Sequence, residues 1–218
     1  MSGISKHQKI GISLRIVEAE NYNETRDALS HDWITLLEEL NLIPVHIPNK
    51  LKNLDEFLTE MNLSGIILSG GDNLGKNKDR DLTETRLLTY SIENKIPLIG
   101  ICRGMQLIND YFGGSLSVDS SNNHINQNHE LDIIDKSFSS FFSSEKINVN
   151  SYHKNLIIHD NLGEKLTPFA INKNDNTIEG FFHNAFSIFG VMWHPERQPD
   201  KFSKSIISNF FQQNFLGK

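Results

Sequence analysis

The stretch from Ile96 to Tyr111 constrains the fold of this chain more than any other. An apolar run, Ile96-Pro97-Leu98-Ile99, leads into Gly100-Ile101-Cys102-Arg103-Gly104 and then into Met105-Gln106-Leu107-Ile108-Asn109-Asp110-Tyr111. The run reads as a buried strand and the last segment as a helix. Cys102, the only cysteine, stands between two glycines at the junction. A strand that turns sharply into a helix is strained, and small flanking residues let the backbone make the turn. The turn holds the thiol clear of the fold and at the positive end of the helix. That field favours the thiolate, which is the reactive form. Taken alone, the motif also fits a buried cysteine in a glycine-containing turn.

A second motif, Val191-Met192-Trp193-His194-Pro195-Glu196, places a histidine at the end of an apolar run with a carboxylate two residues on. A nucleophilic cysteine needs a base for its proton and an acid to orient that base. Alternation along an extended segment predicts His194 and Glu196 on one side, with Pro195 keeping the segment extended.

The chain of 218 residues suits one domain spanning 1–218. A composition of 38% hydrophobic and 22% charged residues is that of a soluble globular protein. The net charge of −6 and the lack of a basic run argue against nucleic acid as a partner. One cysteine excludes an internal disulfide, and no signal peptide or membrane span is recognisable. A reactive free thiol fits a reducing compartment, so the cytoplasm is expected.

Strands are predicted at Lys9–Leu14, Ile43–Ile47 and Ser64–Leu68, the last ending in Ser69-Gly70-Gly71. Helices are predicted over Asp27–Leu40, Leu54–Leu58 and Asp81–Ile92, where apolar residues recur at helical spacing. This alternating order implies a parallel sheet wound with helices on both faces. Beyond Ser115 come short alternating runs at Glu130–Ile134, Lys146–Asn150, Ala170–Asn172, Thr177–Phe182 and Ser187–Met192, read as an antiparallel portion. Ser120–Asn128 reads as a polar loop. The tail from Phe202 to Phe215 is predicted helical, its aromatic stripe packing on the core.

Ser69-Gly70-Gly71, Gly100-Ile101-Cys102-Arg103-Gly104-Met105-Gln106 and Trp193-His194-Pro195-Glu196 together, in this order and spacing, resemble the class I glutamine amidotransferase family. The likeness covers nearly the whole chain and is greatest to the stand-alone γ-glutamyl hydrolase branch. Gly11-Ile12-Ser13-Leu14-Arg15 and Ile43-Pro44-Val45-His46-Ile47-Pro48 also look like that branch. Arg26-Asp27-Ala28-Leu29, Trp33 and Pro48-Asn49 resemble a member of it that releases a cytidine diphosphoramidate in capsule biosynthesis. The implied fold is α/β and flavodoxin-like, a mostly parallel central sheet flanked by helices with an additional antiparallel portion.

The implied activity is cysteine-dependent hydrolysis of a γ-glutamyl amide through a thioester, with Cys102 as nucleophile, His194 as base and then acid, and Glu196 orienting the imidazole. Elbow geometry makes the Arg103 backbone N–H one oxyanion donor, and the resemblance implies Gly71 as the other. Gly70 lies beside it as a substrate contact. Gln106, one helical turn past Cys102, is a candidate for the glutamyl head group. Ser151 and Tyr152, in Asn150-Ser151-Tyr152-His153, are further candidates by resemblance, and His153 a weaker one. Arg15 ends the first strand, where open α/β sheets place ligands, and can pair with a carboxylate or phosphate. Lys76, Lys78 and Arg80 offer cations for a nucleotide leaving group.

No cofactor is expected, since a catalytic cysteine needs none. His124 and His129, five residues apart, match no strong metal-ligand pattern, so no metal is expected. The partner expected is a small γ-glutamyl amide, with no nucleic acid and no membrane. Three alternatives stay open. One is a glutaminase subunit delivering ammonia to a synthase partner, which this chain does not encode. Another is a hydrolase of a different γ-glutamyl amide, such as γ-glutamyl-GABA. The third is a catalytically silent binding protein on this fold.

Overall fold

A computed structural model describes residues 7–119, 124–199 and 201–213. The first half runs β1 (Gln8–Ser13), β2 (Arg15–Glu18), β3 (Thr25–Ala28), α1 (His31–Glu39), β4 (Leu42–Ile47), α2 (Leu54–Met61), β5 (Gly65–Leu68), α3 (Lys78–Asn94), β6 (Leu98–Ile101) and α4 (Arg103–Tyr111). The second half runs β7 (Ser117–Val118), β8 (Ile125–Ile133), α5 (Lys136–Phe142), β9 (Lys146–Tyr152), β10 (Asn155–Leu156), β11 (Leu166–Asn172), β12 (Thr177–His183), β13 (Ile188–Val191) and α6 (Lys201–Gln213).

Nine strands form one sheet in the order β4-β1-β5-β6-β13-β12-β11-β8-β9. Pairing is parallel from β4 through β13 and antiparallel from β12 onward. This is the mostly parallel sheet with an antiparallel extension that the residue pattern implies. The central strands β5, β6 and β13 are buried along their whole length, as parallel strands covered on both faces must be. Their alternation divides the core. Ile66, Leu68 and Leu98 pack with Leu58, Leu87, Leu88 and Ile108 from α2, α3 and α4. Ile67, Ile99 and Ile101 pack with Trp33, Leu36, Ile207 and Phe210 from α1 and α6 on the opposite face. The aromatic stripe of the tail is thus core, as its spacing predicts; positions 214 and 215 of the predicted tail helix lie outside the described residues.

Several boundaries differ from expectation. The helix expected from Asp27 begins only at His31, because the Ser30 backbone is extended and its hydroxyl accepts from the Asp32 N–H at 3.3 Å. Thr25–Ala28 instead pairs with Arg15–Glu18 as a hairpin. The strand before the elbow starts at Leu98, after Pro97, whose ring nitrogen cannot donate to a ladder. Of the expected loop at Ser120–Asn128, residues 125–128 join β8, while 120–123 lie outside the described residues. Helix α5 has no counterpart among the expectations; Asp135 caps it by accepting from the N–H groups of Ser137 and Phe138. Among the described residues no helix is long and apolar enough to cross a membrane.

Candidate active site

Strand register brings the distant motifs together. β6 and β13 are parallel neighbours with Gly100 opposite Gly190 and Ile101 opposite Val191. The chain leaves both strands at one edge, just before Cys102 and just before His194. The Cys102 N–H donates to the Val191 carbonyl at 2.8 Å and locks this edge. Cys102 itself has φ 50° and ψ −101°, a costly conformation for a residue with a side chain. The turn also needs Gly104, where a Cβ would sit 2.2 Å from the Leu68 carbonyl oxygen. Cys102 is buried, not clear of the fold as the elbow pattern predicts; its thiol caps no backbone group and lies against the His194 imidazole.

His194 is held from three sides. Asn150 in β9 clamps its backbone, accepting from the His194 N–H at 2.9 Å and donating to its carbonyl at 2.8 Å. Gly70 lies flat against the ring; a Cβ there would meet His194 Cε1 at 2.5 Å. Glu196 Oε1 is 2.7 Å from His194 Nδ1. The carboxylate arrives by a different route from the one expected. Pro195-Glu196-Arg197 is a turn, with Arg197 N–H donating to the His194 carbonyl at 3.3 Å, so the chain curls back instead of staying extended.

The Ser69-Gly70-Gly71 turn follows β5, next to β6, at the same edge. It rests on a buried ionic network. Arg80 Nη2 donates to the carbonyls of Ser69 and Gly70 at 2.8 and 3.0 Å, and Arg80 Nε donates to Glu84 at 2.9 Å. Glu84 also accepts from Ser13 Oγ at 2.7 Å and from Arg103, which reaches Asp81 as well. Burial lowers both Arg80 and Arg103 to about 10, so both remain cationic at neutral pH. Arg80 is therefore a pillar under the turn, and the expectation that it meets a leaving group is corrected. The reason is burial of the first turns of α3 against β5. Lys76 pairs with Asp72 at 3.0 Å on the surface.

Among the other sequence candidates, Gln106 is buried; its Oε1 accepts from Asn155 at 3.1 Å and its amide nitrogen faces Met192 Sδ at 3.7 Å. Tyr152 lies edge-on to His194, with ring centroids 5.9 Å apart and the Arg197 guanidinium 4.3 Å above its ring centre. Ser151, one residue earlier in β9, points the other way and donates its hydroxyl to the His124 carbonyl at 2.8 Å. Strand alternation thus keeps its side chain away from His194 and gives Asn150 the clamping position that sequence reasoning missed. The signal for Asn150 was present as the residue two before Tyr152.

Arg15 Nε donates to the Gly70 carbonyl at 3.3 Å and borders a cavity of about 240 Å³, with Ser30, Trp33, Gly70, Glu196 and Arg197 also in its wall. Asp27 accepts from the backbone and side chain of Asn49 at 3.0 and 2.6 Å, which fixes the β2–β3 hairpin beside this cavity.

The family pattern described as glutamine amidotransferase class-I matches residues 19–214. The chain belongs to this family. A γ-glutamyl-CDP-amidate hydrolase from Campylobacter jejuni is 37% identical over 209 residues, covering 93% of this chain and 96% of that protein. The glutaminase domain of Trypanosoma brucei CTPS with bound acivicin superposes with a TM-score of 0.73 at 13% identity, covering 94% of each chain. A glutamine amidotransferase from Thermotoga maritima gives 0.63 at 16% identity over 96% of this chain and 92% of that one. The last two show the fold. The first supports an enzyme of the hydrolase class within the glutamine amidotransferase family.

In this family member the pocket's electrostatics favour an ion pair. Burial alone pushes the Cys102 thiol up, but the neighbouring His194 imidazole and its charge hold it below the ordinary thiol value. Burial alone pushes His194 down, yet Cys102 and Glu196 raise it to about 9.

Proposed function

We propose that this chain is a cysteine-dependent hydrolase that cleaves a γ-glutamyl amide through a thioester, with Cys102, His194 and Glu196 as its catalytic triad. The observation that carries this reading is the contact chain from the Cys102 thiol to His194 and from His194 Nδ1 to Glu196 at 2.7 Å, set at a strained strand-to-helix turn. The Cys102 thiolate attacks the γ-carbonyl carbon. The developing oxyanion takes hydrogen bonds from the backbone N–H groups of Arg103 and Gly71. The first belongs to the opening turn of α4, whose N–H groups have no intrahelical acceptor. The second sits on the turn that Arg80 braces. His194 gives its proton to the leaving nitrogen as the C–N bond breaks. Water then attacks the thioester with His194 taking its proton, which releases glutamate and restores the thiolate. Glu196 holds the imidazole tautomer throughout and stabilises the imidazolium.

The substrate we favour is γ-glutamyl-CDP-amidate, giving glutamate and cytidine diphosphoramidate for capsule biosynthesis. Similarity to the Campylobacter hydrolase along nearly the whole length supports this. So does the cavity beside Glu196, where Arg15 and Arg197 offer two guanidiniums to a diphosphate. Gln106 and Tyr152 stand on the glutamyl side.

Mass spectrometry of a γ-glutamyl amide panel tests the assignment. Wild-type protein should convert γ-glutamyl-CDP-amidate faster than glutamine or γ-glutamyl-GABA, and Cys102→Ser should convert none. Arg15→Ala with Arg197→Ala should raise KM for the nucleotide substrate and leave that for glutamine unchanged. Equal turnover by wild type and Cys102→Ser would refute the chemistry. A preference for glutamine would favour the glutaminase alternative.

A further inference from the structure

Among the described residues, four of the buried side-chain atoms without a hydrogen-bond partner lie together: His124 Nδ1, His129 Nε2, His153 Nε2 and Glu179 Oε2. They converge. His124 Nδ1 lies 3.6 Å and His153 Nε2 3.5 Å from Glu179 Oε1, and His129 Nε2 lies 3.6 Å from Glu179 Oε2. The ligand atoms of His124, His129 and Glu179 all fall within 4.8 Å of one another. His124 immediately precedes β8, His129 lies in its middle, His153 follows β9, and Glu179 lies in β12.

The outer side of each ring fixes what its inner side presents. His153 Nδ1 faces the Asn155 carbonyl at 3.0 Å, and His124 Nε2 faces the Asp175 carboxylate at 2.6 Å. Both partners only accept, so those nitrogens carry protons, and each ring, once neutral, turns a lone pair inward. Asn172 Nδ2 donates to His129 Nδ1 at 3.3 Å, its Oδ1 being taken by the Asn174 N–H, so in the neutral ring the inward-facing Nε2 carries a proton that a bound metal ion would displace. The lone pairs of neutral His124 and His153 would then point at Glu179 Oε1, an arrangement that a positive centre between them would relieve. A proton shared by imidazolium and carboxylate would draw the atoms to about 2.7–2.9 Å. The observed gaps are wider, and close to the edges of about 3.3 Å that a tetrahedral zinc with bonds near 2.0–2.1 Å imposes on its ligands.

We propose that His124, His129, His153 and Glu179 bind a divalent transition metal ion, zinc by ligand chemistry, as a structural site tying β8, β9 and β12 together. Imidazole nitrogens with one carboxylate suit zinc better than magnesium or calcium, which favour oxygen ligands. Asp175 on His124 is the outer carboxylate that orients a metal-bound imidazole, and with Glu179 it balances the charge of a dication. Thr177 Oγ1 bonds both Asp175, at 2.7 Å, and Glu179, at 3.3 Å, and so couples the two. The spacing of His124 and His129 hides this set, because Glu179 and His153 join it only through the antiparallel pairing.

The test uses the full chain carrying Cys102→Ser, so that the active-site thiol cannot hold the metal. After incubation with zinc chloride and desalting, elemental analysis should find about one zinc per chain, as a closed structural site requires. Adding His129→Ala should cut the zinc content to about a tenth or less. The melting temperature of the Cys102→Ser protein should rise with zinc chloride and fall on chelation. Cobalt(II) in place of zinc should give the visible absorption of a tetrahedral site. A Cys102→Ser protein that takes up no zinc overturns the proposal. So does a His129→Ala derivative as fully loaded as its parent. None of these readings depends on which substrate the enzyme cleaves.

Discussion

Glu84→Gln removes one negative charge from beneath the active site while nearly preserving the side chain's shape. Glu84 is 0% exposed, and the two guanidiniums it serves, Arg80 and Arg103, are 1% and 2% exposed. After the substitution the amide oxygen can still accept from one guanidinium, but Arg80 loses its carboxylate ion-pair partner and keeps the neutral Ser69 and Gly70 acceptors, whereas Arg103 keeps Asp81. Removing one partner of a buried ion pair costs about 3–5 kcal/mol. One carboxylate holding two cations places this case toward the upper figure. For a chain of this size each kcal/mol moves Tm by about 2–4 °C, so a fall of about 6–20 °C is expected. Thermal unfolding followed by circular dichroism at neutral pH reads it directly. A cycle with Arg80→Met should show strong coupling, the double variant being less destabilised than the sum of the single ones. A Tm for Glu84→Gln within about 2 °C of wild type would mean that the network contributes little, and the account of Arg80 as the brace of the Ser69-Gly70-Gly71 turn would fall with it.

Two further outcomes follow from the site. Departure of the amine needs protonated His194, so kcat/KM should decline as pH rises through about 9, where that imidazole loses its proton. Glu196 helps hold His194 up; Glu196→Gln should therefore shift the alkaline limb to lower pH, and superimposable profiles would deny the carboxylate its role. Asn150→Ala releases both backbone contacts that place His194, and misplacement on the ångström scale costs about 10²-fold in rate. A kcat drop of that order with little change in KM is expected from steady-state kinetics, and unchanged kcat would show that Gly70 and Glu196 suffice to hold the ring.

Much of the site was legible because its chemistry is local. Gly100, Cys102 and Gly104 announce a strained turn, since only small residues permit it, and His194 with Glu196 two residues later announces an oriented base. Those contacts appear, although Glu196 arrives through the Pro195–Arg197 turn. Ser30 was readable in principle as a helix cap, yet the helical spacing that continues through Ala28 masked it. Arg80 read as an available cation because its residue type is usually exposed; only the fold shows Glu84 buried four residues away along α3 with Ser13 brought to meet it.

The sequence alone determined the alternation of strands and helices, the parallel core, the elbow and the types of residue that carry the chemistry, because each follows from periodicity or backbone sterics over a few neighbouring positions. The tertiary structure decided which distant groups share a pocket. Pairing β6 beside β13 in one register sets Cys102 against His194, and alternation in β9 turns Asn150 and Tyr152 toward His194 and Ser151 away from it. Register is a property of two strands together, fixed by which faces they bury in a common core, and no single segment contains it.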